Sequence, residues 1–160
     1  MFAAAYLSLC FVFPSVLNIS KNQADRICRL EPVINKAAKD NNIDPNLLAS
    51  IIYVESSYYP RAVSRANACG LTQVIPKWTG GPETGHKKYT CSQLKEPRLS
   101  IRVGAQILRY IMSNYTNGNE DQALCMYNAG TVCLKKKNLY KTSLYVKKVR
   151  RIYDKITNVN

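Results

Sequence analysis

Glu55 is the residue best placed to do chemistry. It follows Leu48 by seven positions and Ile51 by four, so all three side chains share one face of any helix carrying them. That face is apolar. A carboxylate held there loses hydration, which disfavours its charged form and raises its pKa by about 1–2. A carboxyl that keeps its proton near neutral pH is what protonation of a leaving oxygen requires. The competing arrangement is a helix-end glutamate that turns to water or pairs with Arg61 or Arg65. Position alone does not separate the two. The residues that follow favour the acid: Ser56, Ser57, Tyr58, Tyr59, Ser64 and Gly70-Leu71-Thr72-Gln73. Rings stack on sugar faces, and hydroxyls and amides pair with sugar hydroxyl and acetamido groups. Eleven tyrosines against three phenylalanines and one tryptophan agree with a saccharide ligand.

A two-acid glycosidase holds its carboxyls about 5–9.5 Å apart. Asp44 lies eleven residues before Glu55, roughly 16 Å along a helix axis, too far to be the partner. Glu83 and Glu96 fall in or beyond a loop region and stay open as second carboxylates.

The elements that must position these residues read as helices. Pro32 argues against one unbroken helix over 22–41, so a turn followed by a helix from Glu31 to about Asp40 is expected. Asp44-Pro45 pairs an N-cap carboxylate with a first-turn proline and opens the helix that runs to Ser56. Residues 59–85 hold Pro60, Gly70, Pro76, Gly80, Gly81, Pro82 and Gly85, a loop-rich stretch. Pro97 opens a long amphipathic segment through Ile111. Asn119 caps a further helix ending near Gly130, expected as a left-handed stop. A last helix, about Thr142 to Ile156, turns Leu144, Tyr145, Val149 and Ile152 inward. No strand alternation and no internal repeat compete, so the class is all-α.

With 160 residues the chain suits one domain and excludes a separate cofactor module. Its 46% hydrophobic and 21% charged content indicates a folded chain. A net charge of +13 points to a polyanionic partner: nucleic acid, anionic lipid or wall polymer. Residues 1–80 carry a net +3 and residues 81–160 a net +10, with clusters at Lys135 to Lys137 and at Lys147, Lys148, Arg150 and Arg151. No nucleic-acid motif accompanies them, so nucleic acid is not expected. His86 is the single histidine and no CxxC occurs, which leaves no zinc site to expect. Cys69 with Cys91, and Cys125 with Cys133, would close short loops, although spacing does not determine pairing. Setting Cys10 aside leaves five cysteines, an odd number.

Phe2 to Leu17 lacks any charged side chain and has the look of the apolar region of a secretory signal, of marginal length for a span. No basic residue precedes it, and the nearest cleavage candidate is Ser20, with Asn18 at −3. Export is the preferred reading, an uncleaved membrane anchor the second, a buried amino-terminal helix the third. The boundaries expected are 1–20 for signal or anchor and 21–160 for the catalytic domain.

Four ordered blocks, Glu55-Ser56, Ala62-x-Ser64, Gly70-Leu71-Thr72-Gln73 and Met126-Tyr127-Asn128-Ala129-Gly130, resemble the lytic transglycosylase family with a goose-lysozyme-like catalytic fold. Ile43-Asp44-Pro45 and Tyr145-Val146-x-x-Val149 fit the same pattern, and the likeness covers about residues 31–153. It implies a single lysozyme-like helical domain with a loop-rich cleft. It also implies cleavage of the β-1,4 bond between N-acetylmuramic acid and N-acetylglucosamine in peptidoglycan, without water, to a 1,6-anhydro product. Glu55 matches the catalytic acid that later acts as base; Ser64, Gln73, Tyr127 and Tyr145 match glycan-binding positions in the cleft. Asn128, Ala129 and Gly130 look like helix-end and packing positions. A hydrolytic goose-type lysozyme is the runner-up, and a catalytically silent basic wall-binding module the third reading.

Three departures stand out. Thr72 replaces a usual Met and is expected to alter the cleft wall; Ser100 replaces a usual Asn; Lys141 stands where many members carry Glu. No cofactor or metal is implied. The expected partner is the peptidoglycan glycan strand, met by a monomer outside the cytoplasm, periplasmic or in the cell envelope. Residues 2–17 are the route for membrane attachment, and a secretion machine or phage particle is the wider setting considered.

Overall fold

The computed structural model describes residues 8–136 and 138–159. Nine α-helices are described: α1 Leu9–Val16, α2 Lys21–Asp40, α3 Pro45–Ser56, α4 Cys91–Leu94, α5 Pro97–Asn114, α6 Glu120–Ala129, α7 Val132–Lys135, α8 Leu139–Thr142 and α9 Leu144–Thr157. Short 3-10 turns at Pro76–Trp78 and Pro82–Thr84 interrupt the loop between α3 and α4. Two isolated bridges, Val63 to Cys69 and Cys69 to Val74, are the extended pairings among the described residues.

α3 lies at the centre, packed on α2 and α9, while α2 packs on α5 and α5 on α6. Its apolar run Leu47, Leu48, Ile51 and Ile52 is at most 1% exposed. Full burial of each such side chain is worth roughly 1.5–3 kcal/mol, so this helix is held by packing on several sides. Its start is local chemistry: the Asp44 carboxylate accepts from Asn46 N at 2.8 Å and Pro45 opens the helix. It stops because Ser57 and Tyr58 both take left-handed backbone, φ 49° and 61°. Each costs roughly 1–2 kcal/mol for a residue with a Cβ. Tyr58 offsets this by burying its ring against Phe13 and donating its hydroxyl to Ala49 O at 3.2 Å. Glu55 is thereby left in the last turn, at the helix edge.

α2 runs unbroken through Pro32, contrary to the expected turn there. The proline forfeits one main-chain hydrogen bond, at a cost of roughly 3 kcal/mol in a helix interior. Tertiary contacts outweigh it. Ile27 and Ile34 are fully buried on either side, and Glu31 accepts from Ser8 Oγ at 2.7 Å and from the Leu9 and Cys10 amides at 3.1 and 3.2 Å. Glu31 thus caps α1, whose own leading residue makes no side-chain cap to the helix.

That contact ties residues on the leader side of the expected boundary at residue 20 to the domain. Leu9, Val12, Phe13 and Leu17 belong to the main core, and Cys10 is bonded to Cys28. From Ser8 to Leu17 the apolar stretch read as a signal or anchor packs on the core, so a signal or anchor helix is not supported by it; Phe2 to Leu7 lie outside the described residues. No helix among the described residues is long and apolar enough to cross a membrane. The odd cysteine count is corrected with it: Cys10–Cys28, Cys69–Cys91 and Cys125–Cys133 use all six.

At the other end, α9 buries Val146, Val149 and Ile156, whereas Leu144, expected inward, is 74% exposed. Ser143 caps the helix immediately before it, and Leu144 points away from the core that Tyr145 and Val146 pack against in the same turn. Gly130 ends α6 with φ 65° and ψ −154°, a positive-φ break other than the left-handed helical one expected.

Candidate active site

A cleft of about 790 Å³ opens between the 64–83 loops on one side and α5 and α6 on the other. Glu55 lines it from the end of α3, and Ser64, Gln73 and Tyr127 line it too. Burial pushes the Glu55 carboxyl up to about 7, the main effect, while a hydrogen bond from Tyr145 pulls it back down. The Tyr145 hydroxyl donates to Glu55 Oε1 at 2.7 Å. Arg61 and Arg65, the alternative partners, are exposed, and neither makes an ion pair with Glu55. The site therefore holds a carboxyl that gains or loses its proton near neutral pH, set in a walled groove with one oriented hydroxyl beside it.

The other expected residues divide. Tyr127 donates its hydroxyl to Thr72 O at 2.8 Å, and burial and the neighbouring Glu55 charge raise its pKa. Gln73, at φ 50°, donates from Nε2 to Gly70 O at 2.9 Å and Ala62 O at 3.2 Å, which fixes its amide on the cleft wall. Ser64 Oγ accepts from the Ala66 and Ala68 amides at 3.2 and 3.1 Å and so shapes its own turn. Tyr145, expected as a glycan contact, is not on the cleft wall; its hydroxyl stands on Glu55 instead. Asn128, Ala129 and Gly130 line the cleft, beyond the packing role expected for them.

The saccharide-like run after Glu55 also separates. Ser56 Oγ donates to Leu71 O at 2.9 Å and Tyr58 is a core residue, so neither faces the groove; Tyr59 is 53% exposed but lies elsewhere. The rings that do line it are Trp78, Tyr110, Tyr115 and Tyr127. Trp78 is 68% exposed with Lys77 Nζ 5.3 Å from its ring, and Tyr110 meets Tyr115 edge-on at 5.9 Å. Sequence reasoning missed the first three. Trp78 carried a signal, as the single tryptophan inside a loop-rich segment.

Thr72 and Ser100, two of the departures noted above, touch each other. Thr72 Oγ1 donates to Ser100 O at 2.8 Å, and Thr72 N donates to Ser100 Oγ at 3.2 Å. Both are wholly buried, so Thr72 does not form the cleft wall; it anchors the wall from beneath. Close approach makes two glycines necessary. A Cβ on Gly70, at φ 79°, would run into the Leu94 carbonyl, and one on Gly104 would lie 2.5 Å from the Thr72 Cβ. Lys141 is exposed, 5.9 Å from the Tyr140 ring.

Of the two further carboxylates, Glu96 is engaged as the cap of α5, accepting from the Arg98 and Leu99 amides at 3.0 and 2.6 Å. Glu83 lines the cleft. No group of three potential metal ligands occurs among the described residues.

Residues 32–149 match the transglycosylase SLT domain, and the chain belongs to that family. It is similar to the membrane-bound lytic murein transglycosylase C of Haemophilus ducreyi (strain 35000HP / ATCC 700724), 36% identical over 110 residues, covering 62% of this chain and 30% of that protein. The protein of the same name from Haemophilus influenzae (strain PittGG) is 34% identical over 110 residues, covering 66% and 31%. The chain thus spans about a third of the length of these curated relatives. Among solved structures, an inactive mutant of the lytic transglycosylase Slt from Pseudomonas aeruginosa shares the fold at a TM-score of 0.63 and 22% identity, covering 92% of this chain and 28% of that one. The 70 kDa soluble lytic transglycosylase Slt70 from Escherichia coli does so at 0.68 and 18%, covering 84% and 28%.

Proposed function

We propose that this chain is a peptidoglycan lytic transglycosylase with Glu55 as its single acid and base. The observation that carries the reading is a buried carboxyl with a pKa of about 7 at the edge of a glycan-sized groove. In its neutral form Glu55 donates a proton to the glycosidic oxygen between N-acetylmuramic acid and N-acetylglucosamine, and the bond to the muramoyl C1 breaks. The resulting carboxylate, stabilised by the Tyr145 hydroxyl, takes the proton of the muramoyl 6-hydroxyl as that oxygen closes on C1. The product is a 1,6-anhydro end, and Glu55 is protonated again. No water is consumed. Ser64, Gln73 and Tyr127 contribute the polar wall that holds the strand, and Trp78, Tyr110 and Tyr115 offer rings for sugar faces.

Glu83 supports a second reading, hydrolysis, because it places another carboxylate on the same cleft. Mass analysis of released fragments separates the two. Anhydro ends are one water lighter than hydrolysed ends, and digestion yielding only reducing muramic acid ends overturns the non-hydrolytic reading. A Glu83→Gln protein that retains anhydro-product formation excludes the two-acid route.

Action outside the cytoplasm, in the cell envelope, fits the same reading. Three disulfides in a chain of this size suit an oxidising compartment.

A further inference from the structure

Tyr145, which holds the Glu55 carboxyl, is one of a pair of tyrosines. Eight residues further along α9, Tyr153 donates its hydroxyl to Asp44 Oδ2 at 2.7 Å. Tyr145, Val149 and Tyr153 recur every four residues, so they share one face of α9, the face that meets α3. Asp44 caps the start of α3 and Glu55 lies in its last turn, so the two helices run antiparallel with a tyrosine on a carboxylate at each end. Both Asp44 oxygens are engaged, Oδ1 by the Asn46 amide and Oδ2 by Tyr153.

Arg150 brings in a third helix. Its Nε donates to Asp121 Oδ1 at 2.6 Å and its Nη2 to Glu120 Oε2 at 2.9 Å, both in the first turn of α6. The same guanidinium lies 5.6 Å from the centre of the Tyr153 ring. From there α6 runs to Tyr127, in its last turn and on the cleft. The three helices therefore meet twice: at the cleft, through Glu55, Tyr127 and Tyr145, and again roughly 12 Å away along α9, through Asp44, Arg150 and Tyr153. None of the residues of the second cluster lines the cleft.

The core contacts of α9 are Val146, Val149 and Ile156. Apolar burial has no direction, so these contacts oppose separation of the helices better than a slide or a twist. Hydrogen bonds weaken steeply as donor and acceptor misalign, so the remote cluster resists both. We propose that Asp44, Arg150 and Tyr153 are positioning residues: they fix α9 along α3 and α6 and so aim the Tyr145 hydroxyl at Glu55. The inference rests on the transglycosylase reading above and adds to it residues that never meet the substrate.

Tyr153→Phe removes the remote bond and keeps the ring beside Arg150. The titratable groups facing Glu55 are Tyr145 from α9 and Tyr127 from α6. Tyr153 stays a neutral donor across the range, because its bond to Asp44, burial and the Asp44 charge push its hydroxyl up to about 12. A carbon-13 NMR titration of the full chain labelled in its glutamate carboxyls follows Glu55 directly. Its midpoint should rise by about 0.5 in Tyr153→Phe, in the direction of Tyr145→Phe, and Arg150→Gln should repeat the rise. On wall sacculi Tyr153→Phe should lower kcat about tenfold and leave KM within about twofold of wild type. Added to Tyr145→Phe, it should move the midpoint no further, since no hydroxyl is left to aim. Ile156→Val, which loosens α9 without removing a polar contact, should change neither midpoint nor kcat. An unmoved midpoint in Tyr153→Phe overturns the proposal, as does an equal rise in the Tyr145→Phe background or in Ile156→Val. A wild-type protein that cleaves no sacculi, while its Glu55 midpoint still follows Tyr153, overturns the enzymatic reading and leaves the positioning role standing.

Discussion

The Tyr145 hydroxyl donates to Glu55 Oε1 at 2.7 Å, joining the first turn of α9 to the last turn of α3 across 90 residues of chain. A hydrogen bond from a neutral donor favours the carboxylate, so it opposes the burial that keeps Glu55 protonated. Tyr145→Phe should therefore move the alkaline limb of kcat/KM, set near pH 7 by Glu55, to higher pH. Initial rates on purified wall sacculi from pH 5 to 9 measure this. A limb that stays in place or moves to lower pH contradicts the assigned role.

Glu55→Gln should abolish release of anhydro fragments while leaving the fold intact, and it should also change how stability depends on pH. The folded carboxyl titrates near 7 and the unfolded one near 4.5, so between these values the native state holds more protons than the unfolded chain. Stability in the wild type is then full below about pH 4.5 and falls as pH rises to 7, by about 3 kcal/mol in total. The Gln variant lacks this slope. Urea unfolding at pH 5 and pH 8 reads the difference, and parallel pH profiles for the two proteins would refute it.

Much of this architecture could be read from local chemistry. The Asp44-Pro45 start of α3 and the Asn119 cap of α6 were legible because a cap is decided by four or five adjacent residues. Glu55 was legible because helical spacing put it on the apolar face of Leu48 and Ile51, and the residues after it favoured an acid over a surface pair. What sequence did not reveal depended on distant partners. α2 passes through Pro32 because α1, bonded by Cys10 and capped by Glu31, packs across it. Tyr58 turned out to be core and Trp78 cleft, since nothing within a loop says which ring faces which side. The Thr72 and Ser100 departures were each visible, but their contact was not, because 28 residues separate them.

Removing the Thr72 hydroxyl without changing its shape tests that buried contact. Thr72→Val deletes the 2.8 Å bond to Ser100 O and should lower stability by about 1–2 kcal/mol. Thermal melting checks this. Tyr127→Phe removes a second bond to the same residue, the Tyr127 hydroxyl on the Thr72 carbonyl, so the double variant should lose less than the sum of the singles.

Lys147, Lys148, Arg151 and Lys155 all lie exposed along the outer face of α9, opposite buried Val146 and Val149. A row of cations at helical spacing should draw the protein to anionic wall polymers at low ionic strength. Changing all four to Gln should reduce sedimentation with sacculi at 0.05 M salt by roughly tenfold, and the gap should close near 1 M, where screening acts within about 3 Å. Binding that is indifferent to salt would count against this surface.

The burial of α1 bears on how the protein is handled as well as on how it folds. A chain shortened to begin at residue 21 would uncover the trough that Phe13 fills against Tyr53 and Tyr58, with ring centroids 5.8 and 5.7 Å away. It would also release Cys28 as a thiol on that greasy surface. Two such molecules would have both the adhesive patch and the sulfur needed to join covalently. Trimming the residues that resemble a disposable leader would then yield cross-linked dimers and precipitate in place of a tidier enzyme.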